Sequence, residues 1–190
     1  MAQAPRAAPA AAEPALPPGH PAVAPGDMGA PAAPKGMEGA VPPPPKPTGA
    51  SQLTWDLPKG WTQSLTGGIR YATLKAPIGG NVDASVVVLA GPAGGELANV
   101  NRWRSQIGLP PLAEEALGTA RKSIATKAGP LSLYDFVSEG NVKTRLVAGI
   151  ATSDDNTWFF KMTGDADAVG KALPDFTKLV ESIRSQSGAK

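Results

Sequence analysis

The most regular pattern of apolar and polar positions lies between residues 94 and 112, with the sequence GGELANVNRWRSQIGLPPL. One set of apolar side chains recurs at the three- and four-residue spacing of a helix face: Leu97, Val100, Trp103 and Ile107. Gly108 follows where a left-handed residue commonly ends a helix, and Pro110 and Pro111 prevent its continuation. The pattern predicts an amphipathic helix over 96–107 whose apolar face packs against a core.

The other side of this predicted helix is polar and carries the candidate binding residues: Asn99, Asn101, Arg102, Arg104 and Gln106. In one interpretation these residues lock the helix to a sheet, because arginine stems cover apolar surface while their heads stay in water. One arginine would then pair with Asp135, which lies on an otherwise apolar strand face. In the other interpretation the exposed polar edge recognises a ligand. We favour the structural role for Trp103 and keep the exposed edge as the candidate site.

Three strands are predicted before the helix: a short strand that begins at Leu53 and is followed by a turn within 53–61, and strands over 69–75 and 84–89. The first ends in a Pro-Lys-Gly turn bracketed by Trp55 and Trp61, which we expect to close one end of the core. The third, ASVVVL, is a continuous β-branched run, which is typical of a strand buried on both faces.

A short helix over 112–117, four strands and a last helix are predicted in the remainder of the chain. The strands are expected over 121–127, 131–137, 143–152 and 157–163, with a hairpin turn at Ser153-Asp154-Asp155-Asn156. Pro174 suits the first turn of the last helix, whose buried stripe is Phe176, Leu179, Val180 and Ile183. Short turns require antiparallel pairing, so the sequence predicts an α+β fold, an antiparallel β-sheet flanked by helices.

Residues 1–50 differ in composition from the rest, because they hold 14 of the 21 prolines and few large apolar side chains. Such a segment cannot bury enough apolar surface to offset the entropy of ordering. We therefore expect a disordered, Ala/Pro-rich tether over 1–50 and a single globular domain over 51–190. The six charges of the tether cancel, which argues against a basic arm for nucleic acid or membrane.

Composition excludes several classes of function. The net charge of +2 is too small for electrostatic capture of nucleic acid. No window approaches the roughly 20 apolar residues of a membrane helix. The chain has no cysteine, and its one histidine, His20, lies in the tether, which excludes a Ser-His-Asp site within the domain.

We expect no catalytic residue, no metal and no cofactor. The Asp154-Asp155-Asn156 run does not follow the spacing of a calcium loop, and a hairpin turn explains it. Copper binding by His20, Met28 and Met37 is an alternative that their irregular spacing disfavours.

Three segments, WDLPKGW, NVNRWRSQIGLPPL and TWFFKMTGD, resemble a group of uncharacterised bacterial envelope proteins, which are small and often lipid-anchored. The order of elements over about residues 52–186 is similar to the Mog1/PsbP-type α/β/α sandwich. Members of that wider fold are mostly non-catalytic and bind other proteins, including as extrinsic subunits of membrane complexes. The resemblance implies a periplasmic or lipid-anchored location in the cell envelope, with the tether as the spacer left when an export or lipoprotein signal is removed. The absence of a cysteine before the spacer departs from a lipoprotein precursor.

We therefore expect a non-enzymatic accessory domain that binds a protein partner, as a subunit of a membrane-associated assembly. It is expected to bind no nucleic acid, and to contact the membrane only through a lipid anchor lost from this chain. The alternative is a small-molecule-binding protein, or a hydrolase, that uses the polar edge of the helix over 96–107. A deep pocket lined by Asn99, Arg102 and Gln106 would favour the alternative, and a flat surface would favour a protein partner.

Overall fold

A seven-stranded antiparallel sheet forms the centre of the described part of the chain, residues 51–66 and 69–187 of the computed structural model. The helices are α1 (Glu96–Gln106), α2 (Glu114–Ala120) and α3 (Ala166–Glu181). The strands are β1 (Ser51–Thr54), β2 (Thr62–Leu65), β3 (Arg70–Lys75), β4 (Val82–Ala90), β5 (Lys122–Thr126), β6 (Gly129–Val137), β7 (Thr144–Ser153), β8 (Asn156–Asp165) and β9 (Arg184–Ser187). The predictions for the tether and for its His20, Met28 and Met37 lie outside the described residues.

The strand order in the large sheet is β2-β3-β4-β8-β7-β6-β5, and β1 pairs with β9 in a separate two-stranded sheet. All of these pairs are antiparallel. The predicted antiparallel sheet flanked by helices is therefore confirmed. β4 lies inside the sheet and buries Ala84, Ser85 and Val86, but Val87 and Leu89 are only partly buried, so the prediction of a strand buried on both faces is confirmed in part.

Two hydrophobic cores lie on opposite faces of this sheet. Alternation along β8 shows the division, because Trp158 and Phe160 belong to one core while Phe159 belongs to the other. The first core includes α3 and β1, through Leu53, Val169, Phe176 and Leu179. The second includes α1 and α2, through Val100, Trp103 and Leu117. The architecture is a three-layer α/β/α arrangement.

The last helix starts earlier than its proline predicts. α3 begins at Ala166, so Pro174 lies inside the helix rather than in its first turn. Its lack of an N–H removes one main-chain hydrogen bond. The buried residues Ala168, Val169 and Ala172 extend the apolar stripe by about two turns, and their burial outweighs that loss.

Two short strands are absent from the sequence prediction. β2 is mostly exposed and β9 has the polar sequence RSQS, so neither shows an apolar run. The tight hairpin between β7 and β8 is confirmed, with Asp154 in the left-handed region at φ 46°. No helix within the described residues is long and apolar enough to cross a membrane.

Candidate functional site

Helix α1 is held to the sheet by its tryptophan. Trp103 is buried and meets the ring of Phe159 edge-on at 5.9 Å between centroids, with Tyr134 at 6.5 Å. Val100 and Ile107 are buried beside it. The apolar stripe of α1 therefore packs against β6 and β8 as predicted.

Asn99, one of the predicted binding residues, is buried rather than exposed. Its Nδ2 donates hydrogen bonds to the carbonyl oxygens of Ala93 (2.9 Å) and Gly95 (2.7 Å), and its Oδ1 accepts one from Arg102 (2.9 Å). These bonds tie the glycine-rich loop before α1 to the helix. The expectation that Asn99 belongs to an exposed edge is wrong.

Asn101 and Arg104 lie on the flank of α1 that faces residues 109–112. Asn101 donates to the carbonyl oxygen of Leu112 (3.0 Å) and accepts from the Leu112 N–H (2.7 Å). Arg104 donates from Nε to the carbonyl oxygen of Pro110 (2.7 Å), and its guanidinium lies 4.9 Å from the centroid of Phe136. Both side chains hold the proline segment against the helix.

Neither arginine of α1 pairs with Asp135. That carboxylate binds Arg145 of the neighbouring strand, with hydrogen bonds of 2.8 and 2.5 Å. Asp135 shares its face of β6 with Leu131 and Leu133, which belong to the core that includes α3, here called the α3 core. The predicted pairing is wrong because strand alternation points Asp135 to the sheet face opposite α1.

Arg102 and Gln106 lie on the other flank of α1, beside an open groove with a volume of about 360 Å³ that we call the basic groove. Its lining residues come from α1 and from strands β3, β4 and β8 with the turn before β3: Ile69, Arg70, Asp83, Ser85, Val87, Leu89, Asn99, Arg102, Trp103, Phe159 and Lys161. Gln106 accepts a hydrogen bond from Lys161 Nζ at 3.2 Å. The structure thus brings Asn99, Arg102 and Gln106 to one side and places Asn101 and Arg104 on the other.

The sheet directs the other charged side chains into this groove. Lys161 of β8 lies opposite Ser85 of β4, on the same face as Phe159. The register shifts by one residue between Arg70 and Ala72, which marks a β-bulge. Because of this bulge, Tyr71 can pack on Trp158 in the α3 core while Arg70 reaches Asp83 at 2.5 Å on the groove side.

The basic groove carries three cations and one carboxylate. Asp83 pairs with Arg70, whereas neither Arg102 nor Lys161 forms a salt bridge with any described residue. Burial lowers the pKa of Lys161 below its usual 10.5; the Asp83 carboxylate opposes this shift and the Arg70 charge adds to it. The groove can therefore bind an anion against an apolar floor.

Arg70, Asp83 and Lys161 are not among the residues predicted from the sequence. One signal was available for Lys161, which follows Trp158-Phe159-Phe160 and shares the face of Phe159 by alternation. No comparable signal marks Arg70, because the bulge that directs it is not visible in the residue pattern.

A second cleft of about 580 Å³ lies at the start of α1, and it is lined by Gly91, Pro92, Gly95, Glu96, Asn99, Pro130, Ser132, Ile150, Thr152, Asp154, Asp155 and Thr157. Glu96 accepts a hydrogen bond from the Tyr134 hydroxyl (2.7 Å) and pairs with Arg121 (2.5 Å). Burial acts to raise the pKa of Glu96, but the Tyr134 hydrogen bond and the Arg121 charge outweigh it, so the pKa is lowered. This network joins α1 to β6 and to the start of β5.

The described residues contain no group of three or more histidine, cysteine or acidic side chains placed to hold a metal ion. Each cleft holds one ion pair, Glu96 with Arg121 in the second cleft and Asp83 with Arg70 in the basic groove. The basic groove can contact a ligand through ion pairs and through its apolar side chains.

The sequence matches no protein-family model and no curated protein. A solved structure from Bacteroides thetaiotaomicron is similar, with a TM-score of 0.43 and 7% identity, over 70% of this chain and 45% of its own. This chain thus spans less than half the length of that protein.

Two further solved structures are similar over most of their length. LpqN of Mycobacterium tuberculosis, which is involved in cell envelope biogenesis, has a TM-score of 0.45 and 10% identity, over 73% of this chain and 86% of its own. Cyanobacterial PsbP (CyanoP) of Synechocystis sp. PCC 6803 has a TM-score of 0.42 and 14% identity, over 74% of this chain and 96% of its own. Likeness at this level leaves the function to be argued from the chain's own residues.

Proposed function

We propose that this chain is a non-enzymatic binding domain of the cell envelope that recognises an acidic segment of a partner protein in the basic groove. The observation that carries the proposal is the placement of Arg102 and Lys161 beside an open apolar floor. Among the described residues, no carboxylate pairs with either cation. The envelope location rests on the sequence resemblance and on the tether-plus-domain layout.

The shape of the groove favours a chain segment over an enclosed ligand. One wall is helix α1 and the other is formed by strands β3 and β4 of the sheet, with Ile69 47% exposed at the rim. Val87 and Leu89 are only partly buried along the floor. A segment that presents carboxylates to the cations and an apolar side chain to the floor would match both features.

The polar groups in the groove are suited to binding rather than to chemistry. Lys161 donates its hydrogen bond to the Gln106 amide, which is not a base, and Arg102 donates to the Asn99 amide. No nucleophile is hydrogen-bonded to a base among the residues that line the groove in the described part of the chain. This supports the proposal of a domain without catalytic activity.

A labelled decapeptide of alternating glutamate and leucine pairs tests the proposal by fluorescence anisotropy with the full chain. We expect saturable binding that weakens with added salt, because the contacts are between partly exposed charges. Lys161→Glu and Arg102→Glu should each weaken binding at least tenfold, since a charge-assisted contact contributes about 1.5–3 kcal/mol. Binding should also weaken as the pH rises towards 10.5. Because the pKa of Lys161 is lowered, this side chain loses its positive charge at a pH below that of an ordinary lysine.

Lys171→Glu on α3 is the matched control, because it makes the same change of charge at an exposed lysine on the other face of the sheet. It should leave the affinity unchanged. Equal weakening by Lys171→Glu would contradict the proposal, since it would show attraction to overall charge alone. Binding of octanoate without binding of the peptide would favour the small-molecule alternative, for which a volume of about 360 Å³ is large enough.

A further inference from the structure

A third cleft, of about 280 Å³, lies between β1 and β2, on the side of the sheet that carries α3. Within the described residues, β1 pairs only with β9 and β2 only with β3, so each strand presents an edge. We call this the aromatic cleft, after its lining by Gln52, Trp55, Gln63, Leu65 and Tyr71. None of the described side chains that line it carries a formal charge.

Aromatic rings in edge-on contact form the floor of the aromatic cleft. Trp55 is half-buried and meets Phe160 edge-on at 5.3 Å and Tyr71 at 6.2 Å. Tyr71 in turn meets Trp158 at 5.1 Å. Because Phe160 and Trp158 belong to the core, the two outer rings are held in place before any ligand binds.

Gln63 of this cleft is oriented to donate. Trp55 Nε1 donates to Gln63 at 2.9 Å, and an indole N–H can only donate, so the atom that it meets is the amide oxygen. The Gln63 amide nitrogen is thereby left to donate to another group. The cleft combines fixed aromatic rings with an amide donor and no charge.

These are the features that a polyproline II segment requires. Proline rings pack on aromatic faces, and because proline has no N–H, its main chain offers only carbonyl acceptors. The chain itself contains a proline-rich sequence, Val41–Pro42–Pro43–Pro44–Pro45–Lys46–Pro47. We propose that the aromatic cleft binds residues 41–47 of the same chain.

The link between the segment and the cleft is long enough for this. Residues 48–51 join Pro47 to Gln52, and four residues suffice for a reversing turn. A short link of this kind gives an effective concentration in the millimolar range, which favours intramolecular docking even for a weak site.

The indole N–H signals of the full chain in ¹H–¹⁵N NMR spectra provide the test, with the Trp55 signal assigned by Trp55→Phe. Replacing Pro42, Pro43, Pro44 and Pro45 by serine should shift the Trp55 signal and leave the Trp103 signal, on the other face of the sheet, in place. The free peptide VPPPPKP should then restore the original position in a saturable way. Added to the unmodified chain, the same peptide should produce a shift at least tenfold weaker at equal concentration.

Gln63→Glu tests the amide donor of the cleft, because it keeps an oxygen for the Trp55 N–H but removes the N–H donor of the side chain. In the four-serine background it should abolish the response to the peptide. Replacing Pro17, Pro18, Pro21 and Pro25 by serine is the matched control and should leave the Trp55 signal unchanged.

Four results would overturn the proposal. The first is a Trp55 signal that does not shift when Pro42–Pro45 are replaced by serine. The second is a response to the peptide that is undiminished in Gln63→Glu. The third is a difference in the Trp55 signal between the unmodified and the four-serine chain that disappears on dilution. It would show that the cleft binds the segment of a second copy of the chain. A peptide with valine in place of proline that binds as well would identify strand pairing at the β1 and β2 edges and would likewise overturn it.

Discussion

Asn99 and Asn101 stand two residues apart in α1, and their bonding partners could not be predicted from that spacing. Asn99 donates hydrogen bonds to carbonyl groups of the preceding loop, whereas Asn101 forms hydrogen bonds with both the N–H and the carbonyl group of Leu112. Both partners are main-chain groups, which every residue carries and which the sequence pattern does not mark. The binding role of Asn99, Asn101, Arg102, Arg104 and Gln106 stays a prediction, while the contacts give Asn99, Asn101 and Arg104 a structural role.

Glu96 yields a prediction about stability at acidic pH. Its folded-state pKa lies below the ordinary 4.5, so its stabilisation is fully present above that value and is lost as the pH falls through the lowered pKa. Glu96→Gln should therefore reduce the free energy of unfolding at pH 7, and the gap to the unmodified chain should narrow below pH 4.5. Urea denaturation at several pH values measures both.

Glu139→Gln serves as the control for this measurement, because Glu139 is an exposed carboxylate in the loop between β6 and β7. It should leave the stability of the chain unchanged across the same pH range. A Glu96→Gln gap that stays constant from pH 7 to pH 3 would show that Glu96 acts through packing and not through its charge.

Among the elements, those with strong periodicity were predicted well and those that depend on distant partners were not. α1 and the strands β4, β6, β7 and β8 carry apolar runs or stripes of their own. β9 has none, and it becomes a strand because β1 lies beside it, about 130 residues earlier in the chain. The same applies to the basic groove, since Arg70, Arg102 and Lys161 meet only through strand pairing and helix docking.

The docking of α1 is tested by three substitutions that separate its faces. Trp103→Ala should lower the free energy of unfolding by about 3–5 kcal/mol, as expected for a large side chain removed from a core. Asn101→Ala should cost about 1–3 kcal/mol, because it leaves the backbone groups of Leu112 without partners. Arg102→Ala should cost less than about 1 kcal/mol, since this arginine is exposed.

Urea denaturation of the three variants gives the comparison. A loss from Arg102→Ala as large as that from Trp103→Ala would mean that the groove side of α1 is part of the structural core. In that case Arg102 could not serve as a free cation for a ligand, and the proposed function would lose one of its two main contacts.

At the scale of the whole molecule, a single sheet separates two cores, and β1 with β9 closes the edge of one of them. Leu53 of β1 is buried in the core formed with α3, and β1 is the element through which residues 1–50 join the described part of the chain. β9 lies alongside it, with Thr54 donating to the carbonyl oxygen of Arg184 and Asp56 pairing with Arg184 at 2.8 Å. The C-terminal strand β9 therefore holds β1, the strand that directly follows residues 1–50, at the edge of this core.

A chain that ends at Ile183 tests this coupling, because it lacks β9. Without β9, the main chain of β1 loses its hydrogen-bonding partners, and we expect the amides of residues 51–54 to exchange rapidly with deuterium while those of β8 stay protected. Loss of Leu53 from the core should lower the free energy of unfolding by about 1.5–3 kcal/mol. A chain that ends at Ser187 keeps β9 and should behave as the full chain does. If β1 stays protected in the shorter chain, then packing of Leu53 and Trp55 alone holds the strand, and the attachment of residues 1–50 does not depend on the C-terminus.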